Sequence, residues 1–186
     1  MSADEILLET EEAMEKALEY LQHEFASVRT GKAHPALVEN IEAEVYGSQM
    51  RIKQLAVITT PEPRLIVIQP FDASNVKAIE KGIIESKLGI MPSVDGKLIR
   101  IRIPELTEER RRELVKATKG MAEETKVRIR GARRDALDQL KKLQKDGKIT
   151  EDDLRSLEKE VQDYTDKAVK RVDDALAAKE AEILKV

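Results

Sequence analysis

Residues 107–148 read TEERRRELVKATKGMAEETKVRIRGARRDALDQLKKLQKDGK, and this stretch decides how the rest of the chain is organised. From Thr107, followed by Glu108 to Arg110 and then Leu114, a helical pattern starts that persists to about Lys145, and Asp146 and Gly147 break it. On an ideal helix of about 100° per residue, Leu114, Met121, Ala132, Ala136 and Leu143 fall on one side. Arg112, Lys116, Lys119, Lys126, Arg130, Arg133, Arg134, Lys141 and Lys145 fall on the other. Residues 105–148 carry a net charge of +5, whereas residues 1–104 and 149–186 each carry −4, in a chain of net −3. Past the first turn, Glu113, Glu124, Asp135 and Asp138 keep to one flank of the basic stripe, while Glu108, Glu109 and Glu123 lie within it. Opposed charges on a solvated helix usually intersperse as i,i+4 pairs. A segregated stripe suits a polyanion, because neutralising phosphates releases counterions. The other reading is the solvated outer face of a helical bundle, and the charge pattern leaves both open.

Working outward, residues 4–29 also read as a helix. Ser2 or Asp4 can cap it, and Leu7, Met14, Leu18, Leu21, Phe25 and Val28 recur at spacings of three, four or seven until Gly31 and Pro35 end the pattern. Beyond Gly147, Thr150 with Asp153 three residues on forms a capping box in which Asp replaces the usual Glu. Leu154, Leu157, Val161, Tyr164, Ala168, Val172, Ala175 and Ile183 form the seam of the last helix. Each of these long helices has one narrow apolar stripe and is not stable alone. The three stripes are expected to bury against each other in a three-helix bundle.

Between the first two helices the period changes. Ile41, Ala43 and Val45 alternate with charged residues, so residues 40–46 read as a strand with one buried face. Residues 55–59 and 65–69 are β-branched runs separated by Pro61 and Pro63, two further strands. Asp72 or Ser74 can cap a helix that uses Val76, Ile79, Ile83 and Ile84 and ends near Gly89. Asp95 and Gly96 signal a hairpin, and Ile99, Ile101 and Ile103 alternate with Arg100 and Arg102 before Pro104. The fold class is therefore α+β. The bundle comprises residues 1–30 and 105–186, and a small domain, residues 31–104, is inserted between its first and second helices. Two connectors join the parts, and Gly31 and Pro104 mark the expected hinge points.

Charged residues make up 37% of the 186, hydrophobic ones 41% and aromatics only 3%, which favours long amphipathic helices over a sandwich or barrel. There is no cysteine, so disulfide and thiolate chemistry are excluded. The acidic start lacks the apolar run of a signal peptide, and no stretch approaches the roughly 20 apolar residues of a membrane span. The expectation is a soluble, cytoplasmic protein with no membrane partner. His23 and His34 lie far from any carboxylate cluster with ligand spacing, and Glu151, Asp152 and Asp153 read as an ordinary acidic first turn, so no metal site is expected. No Gly-rich phosphate loop and no nucleophile–base pair is recognisable. The chain is expected to be no enzyme, to have no catalytic residues and to carry no cofactor.

Six motifs, in order and spanning the chain, carry a resemblance. They are Val28, Arg29, Thr30, Gly31, Lys32 and Ala33; Tyr46 and Gly47; Gln54, Leu55 and Ala56; and Leu88, Gly89 and Ile90 with Pro92. Pro104 with Leu106, Thr107, Glu108, Glu109, Arg110 and Arg111 follows, and then the run from Val127 through Arg128, Ile129, Arg130, Gly131, Ala132, Arg133, Arg134 and Asp135 to Ala136. Together they resemble the ribosome recycling factor family. The resemblance implies an L-shaped molecule, a three-helix bundle carrying a β/α/β domain. It implies a monomer that binds the post-termination ribosome and, with GTP-bound elongation factor G, splits it into subunits so that messenger RNA and deacylated transfer RNA leave. The bundle would lie on large-subunit ribosomal RNA and the small domain would face the elongation factor.

By the same resemblance the RNA-contacting arginines are Arg29, Arg110, Arg130, Arg133 and Arg134. Lys32, Arg111 and Lys126 complete the expected RNA-binding set. Arg29 has a second reading as a C-terminal dipole partner of the first helix, and Arg110 and Arg111 lie toward the apolar side, where their stems can pack at the bundle edge. Three positions depart from the family pattern. Lys32 stands where Arg is usual, losing the planar fork, and Met91 and Gly131 each stand where Asn is usual.

Three functional readings fit the sequence to different degrees. The first is a non-enzymatic ribosome-binding factor. The second is a coiled-coil adaptor whose basic stripe meets acidic protein partners; it differs from the first in lacking a steep salt dependence of binding to ribosomal subunits. The third, a small hydrolase or transferase built on the α+β unit, lacks any catalytic constellation. The resemblance favours the first.

Overall fold

The computed structural model describes residues 1–28 and 30–185. Along the chain run α1 (Ala3–Ala26), β1 (Glu42–Val45), β2 (Ser48–Arg51), a single turn α2 (Ile52–Leu55), β3 (Ala56–Glu62) and β4 (Leu65–Pro70). Then come α3 (Val76–Glu85), β5 (Ser93–Asp95), β6 (Leu98–Arg102), α4 (Glu108–Lys145) and α5 (Glu151–Leu184). Two compact units emerge: Met1–Phe25 with Arg112–Val186, and Ala26–Arg111.

The first unit is a three-helix bundle, and its helix ends follow local chemistry. The Ser2 hydroxyl accepts from the Glu5 N–H at 3.2 Å while the Ser2 N–H donates to Glu5 Oε2 at 3.1 Å, so Ser2 rather than Asp4 caps α1. Helix α1 stops at Ala26, three residues short of the expected end. Thr107 Oγ1 accepts from the Arg110 N–H at 3.1 Å, and Thr150 and Asp153 form the reciprocal box at 3.1 Å each way. After α4, Gly147 at φ 74° lets Lys148 N–H reach back to Leu143 O at 2.9 Å, which turns the chain into α5.

The bundle interior is narrower than the apolar pattern suggested. On α4 the buried line is Leu114, Thr118, Ala122, Thr125, Ile129, Ala136, Leu140 and Leu143, while Met121 and Ala132 are only half-buried. On α1, Ile6 is buried and Leu7 half-buried. The seam keeps the 3.5-residue period of packed helices, from which an ideal helix drifts by about 20° per heptad. It also takes in threonines that a search for apolar residues skips. Thr10, Thr118, Thr125 and Thr165 each donate to a carbonyl one turn back on the same helix, at 2.7–3.0 Å, so their hydroxyls are satisfied without leaving it. A bidentate pair, Arg171 to Glu15 at 2.6 and 3.1 Å, ties α5 to α1 and lowers the Glu15 pKa.

The second unit is α+β. Strands β3, β4, β6 and β5 form an antiparallel sheet in that order, and β1 and β2 form a separate hairpin. Tyr46 and Gly47, at φ 54° and 77°, make the two-residue turn of that hairpin, whose second strand was not anticipated. The expected strand 40–46 is confined to Glu42–Val45. Leu55 belongs to a helical turn instead of a strand, and β3 runs past Pro61 to Glu62 through a register irregularity between Thr59 and Glu62, a place where proline is tolerated. In α3, Val76, Ile79 and Ile83 are buried, but Ile84 faces outward. Gly82 lies against β1, where a Cβ would stand 2.7 Å from Glu42 O.

Candidate nucleic-acid interface

At 38 residues and about 1.5 Å per residue, α4 is a rod on which the basic residues are displayed. Its antiparallel packing against α5 divides the stripe into two kinds of cation. Lys119, Lys126 and Arg133 lie seven residues apart, on the edge that meets α5. Lys119 Nζ stands 3.9 Å from Glu180 Oε1, and Lys126 Nζ pairs with Asp173 and, at 3.7 Å, with Glu123. Asp173 is the main cause of the raised Lys126 pKa. At the third rung, Arg133 Nε donates to Gln162 Oε1 at 2.8 Å. Arg130 and Arg134 are exposed and make no ion pair or side-chain hydrogen bond among the described residues.

Two of the expected site residues sit differently from their places on an ideal helix. Lys126 and Arg133 are half-buried at the α4–α5 edge and do not project from a solvated face. The reason is the same 3.5-residue period, which carries the seam around the ideal helix and brings positions 126 and 133 to its rim. Arg130, Arg133, Gln162, Thr165, Asp166 and Lys170 border an open cleft of about 540 Å³ between the two helices. The cations there retain a surplus on the α4 side.

The remaining expected residues are dispersed. Arg29 lies outside the described residues. Lys32 is exposed in the second unit. Arg110 is exposed, whereas Arg111 is half-buried, with a buried Nε that has no hydrogen-bond partner among the described residues. Gly31, at φ 79°, has the Leu106 side chain 3.5 Å from where a Cβ would stand. Beside the expected hinge positions, Ala33 N–H bonds Pro63 O at 2.7 Å, Ile103 N–H bonds Arg64 O at 2.8 Å and Arg64 pairs with Glu105 at 3.1 Å.

The pattern along α4 alone missed residues contributed by other helices. Gln162, Asp173 and Glu180 lie on α5, and their partnership with α4 follows only from how the helix hairpin is registered. On α1, the Tyr20 ring receives the Arg128 guanidinium 4.7 Å from its centroid. Gly131 has open space where a Cβ would stand, so packing does not require glycine there. Among the described residues no group of three or more His, Cys, Asp or Glu is disposed to hold a metal, and no helix is long and apolar enough to cross a membrane. His34 instead caps a short 3₁₀ turn, its Nδ1 accepting from the Ala36 N–H at 3.0 Å.

The structure thus defines a three-helix bundle with an arginine-bearing face and an inserted α+β unit. The sequence profile of the family described as ribosome recycling factor matches residues 21–184. The ribosome-recycling factor of Akkermansia muciniphila is 54% identical, with both chains covered in full. A solution structure of the ribosome recycling factor matches at a TM-score of 0.84 and 42% identity, covering 100% of this chain and 99% of the other. The T. thermophilus factor, in models with E. coli elongation factor G bound to the E. coli post-termination complex, matches at a TM-score of 0.70 and 45% identity over the full length of both chains. The chain belongs to the ribosome recycling factor family.

Proposed function

We propose that this protein acts in the cytoplasm as a monomeric, non-enzymatic translation factor. With GTP-bound elongation factor G it disassembles the post-termination ribosome into subunits, releasing messenger RNA and deacylated transfer RNA. The observation that carries this reading is a full-length likeness to a factor described on the post-termination complex together with elongation factor G, combined with exposed, uncompensated Arg130 and Arg134 on α4. In this reading, residues 1–30 and 105–186 bind large-subunit ribosomal RNA through Arg29, Arg110, Arg111, Lys126, Arg130, Arg133 and Arg134, and Lys32, at the start of the inserted domain, adds a further contact. Residues 31–104 receive the push of the elongation factor.

The contributions of these cations differ. Arg130 and Arg134 offer whole guanidinium forks to phosphate. Lys126, already neutralised by Asp173, contributes mainly to the α4–α5 contact. Motion between the two parts turns on Gly31 and Pro104. The bonds that tie Ala33 and Ile103 to the Pro63–Arg64 turn support this, because they fix the inner side of each connector, while across Pro104 the exposed Arg64–Glu105 pair is of the weak, solvent-screened kind.

The test is light scattering of post-termination ribosomes mixed with the protein, elongation factor G and GTP. Subunit dissociation that requires all three is expected. Dissociation that is unchanged when the protein is omitted would overturn the reading.

A further inference from the structure

The three rungs on the edge of α4 are not equivalent. Lys119 and Lys126 meet carboxylates, Glu180 and Asp173. Arg133, the next cation at the same spacing, meets the neutral amide of Gln162, and no carboxylate lies within ion-pair distance of it among the described residues. We infer that Gln162 is a positioning residue that orients Arg133 toward an RNA phosphate while leaving its charge uncompensated. This rests on the RNA-binding reading of the stripe.

The geometry supplies the mechanism. A guanidinium has five N–H donors. The one on Nε is committed to Gln162 Oε1 at 2.8 Å, which leaves the four on Nη1 and Nη2. Side-on engagement through Nε is thereby closed, and the end-on fork remains, a bidentate match to phosphate. The Gln162 amide is itself oriented, because its Nε2 donates to Asp166 Oδ1 at 2.8 Å and so its oxygen faces Arg133. Arg133 is held before RNA arrives, so less side-chain freedom is lost on binding. A carboxylate at position 162 would also orient the fork but would cancel its charge. An apolar side chain would keep the charge but release the fork.

Full-length variants are compared for thermal stability and for affinity to purified bacterial large ribosomal subunits across a salt series. Gln162→Met, close in shape and uncharged, is expected to weaken binding by about two- to tenfold, the value of one immobilised long side chain. In an Arg133→Ala background the same substitution is expected to change affinity by less than about twofold, because it has no fork left to orient. Gln162→Glu is expected to keep or raise the melting temperature, as at the other two rungs, yet to weaken binding and flatten the log–log salt dependence by up to about one unit. A purely structural contact would not separate stability from affinity in this way. If Arg133→Ala weakens binding but Gln162→Met does not, or if Gln162→Met costs as much without Arg133 as with it, the positioning role is overturned while the RNA reading stands. If Arg133→Ala itself leaves affinity unchanged, the role of Arg133 in RNA binding fails and the inference fails with it.

Discussion

In the unit Ala26–Arg111 the interior is aliphatic and bulky: Ile52, Ile66, Ile68, Ile79, Ile83, Ile99, Ile101 and Ile103 are each at most 2% exposed. The bundle instead buries Ala17, Ala122, Ala136 and Ala168 with four threonines, and of its leucines and isoleucines only Ile6, Leu21, Ile129, Leu140 and Ile183 are as fully buried among the described residues. A helix lying on a sheet leaves a gap that large β-branched side chains fill, whereas three helices at about 8–10 Å leave room for little more than methyl groups along parts of the seam. The bundle is consequently thin, and most of each long helix faces outward. The inserted unit carries its information in the core, and the bundle carries it on the surface.

The sharpest test of that contrast is a cavity in the aliphatic core. Ile99 is fully buried on β6, opposite Ile68 of β4 and Val94 of β5. Ile99→Ala is expected to destabilise by about 2–5 kcal/mol, with the loss of hydrogen-exchange protection concentrated in Ala26–Arg111. Protection lost equally across the bundle would show that the two units do not differ in this way.

Next in size is a comparison of helix glycines. At Gly82 a Cβ would stand 2.7 Å from Glu42 O, so Gly82→Ala must push α3 from β1 and is expected to cost about 1–3 kcal/mol in denaturant unfolding. At Gly131 nothing lies within 4 Å, and Gly131→Ala is expected to stabilise the bundle by about 0.5–1 kcal/mol. Equal signs at the two sites would break the comparison.

A smaller effect is expected at the buried threonines. Thr165 Oγ1 donates only to Val161 O on its own helix, and that carbonyl belongs to the helix ladder. Thr165→Val should therefore shift stability by less than about 1 kcal/mol in either direction, since no buried group is orphaned. A loss above that would mean the bundle interior depends on its polar groups.

The smallest effect concerns acid. The Asp72 pKa is lowered to about 2, first by the hydrogen bond from the Tyr46 hydroxyl and then by Ser74. Because the folded value is depressed, the contribution present at neutral pH is lost as pH falls from the ordinary value of 3.8 through about 2. Tyr46→Phe should move the Asp72 midpoint upward, read from its carboxyl carbon by NMR, without affecting the bundle.

Residues close in sequence announced much of this protein. The capping box at Thr150, the break at Asp146 and Gly147 and the alternation of Ile99, Ile101 and Ile103 all depend on short-range geometry. That geometry is written into spacing. The second strand of the first hairpin, Ser48–Arg51, was not legible because Ser, Gln, Met and Arg form no alternating apolar pattern. Its place follows from pairing with β1.

The basic character of α4 was likewise determined by sequence alone, since charge and helical period require no partner. Which cations remain free was decided only by tertiary structure. Lys126 is spoken for because Asp173, forty-seven positions away, arrives beside it when α4 and α5 pack antiparallel. Arg133 is oriented by Gln162 for the same reason, while Arg130 and Arg134 stay open. The turn at Gly147 and the 3.5-residue seam together set that register, and neither the charge count nor an ideal 100° helical wheel contains it.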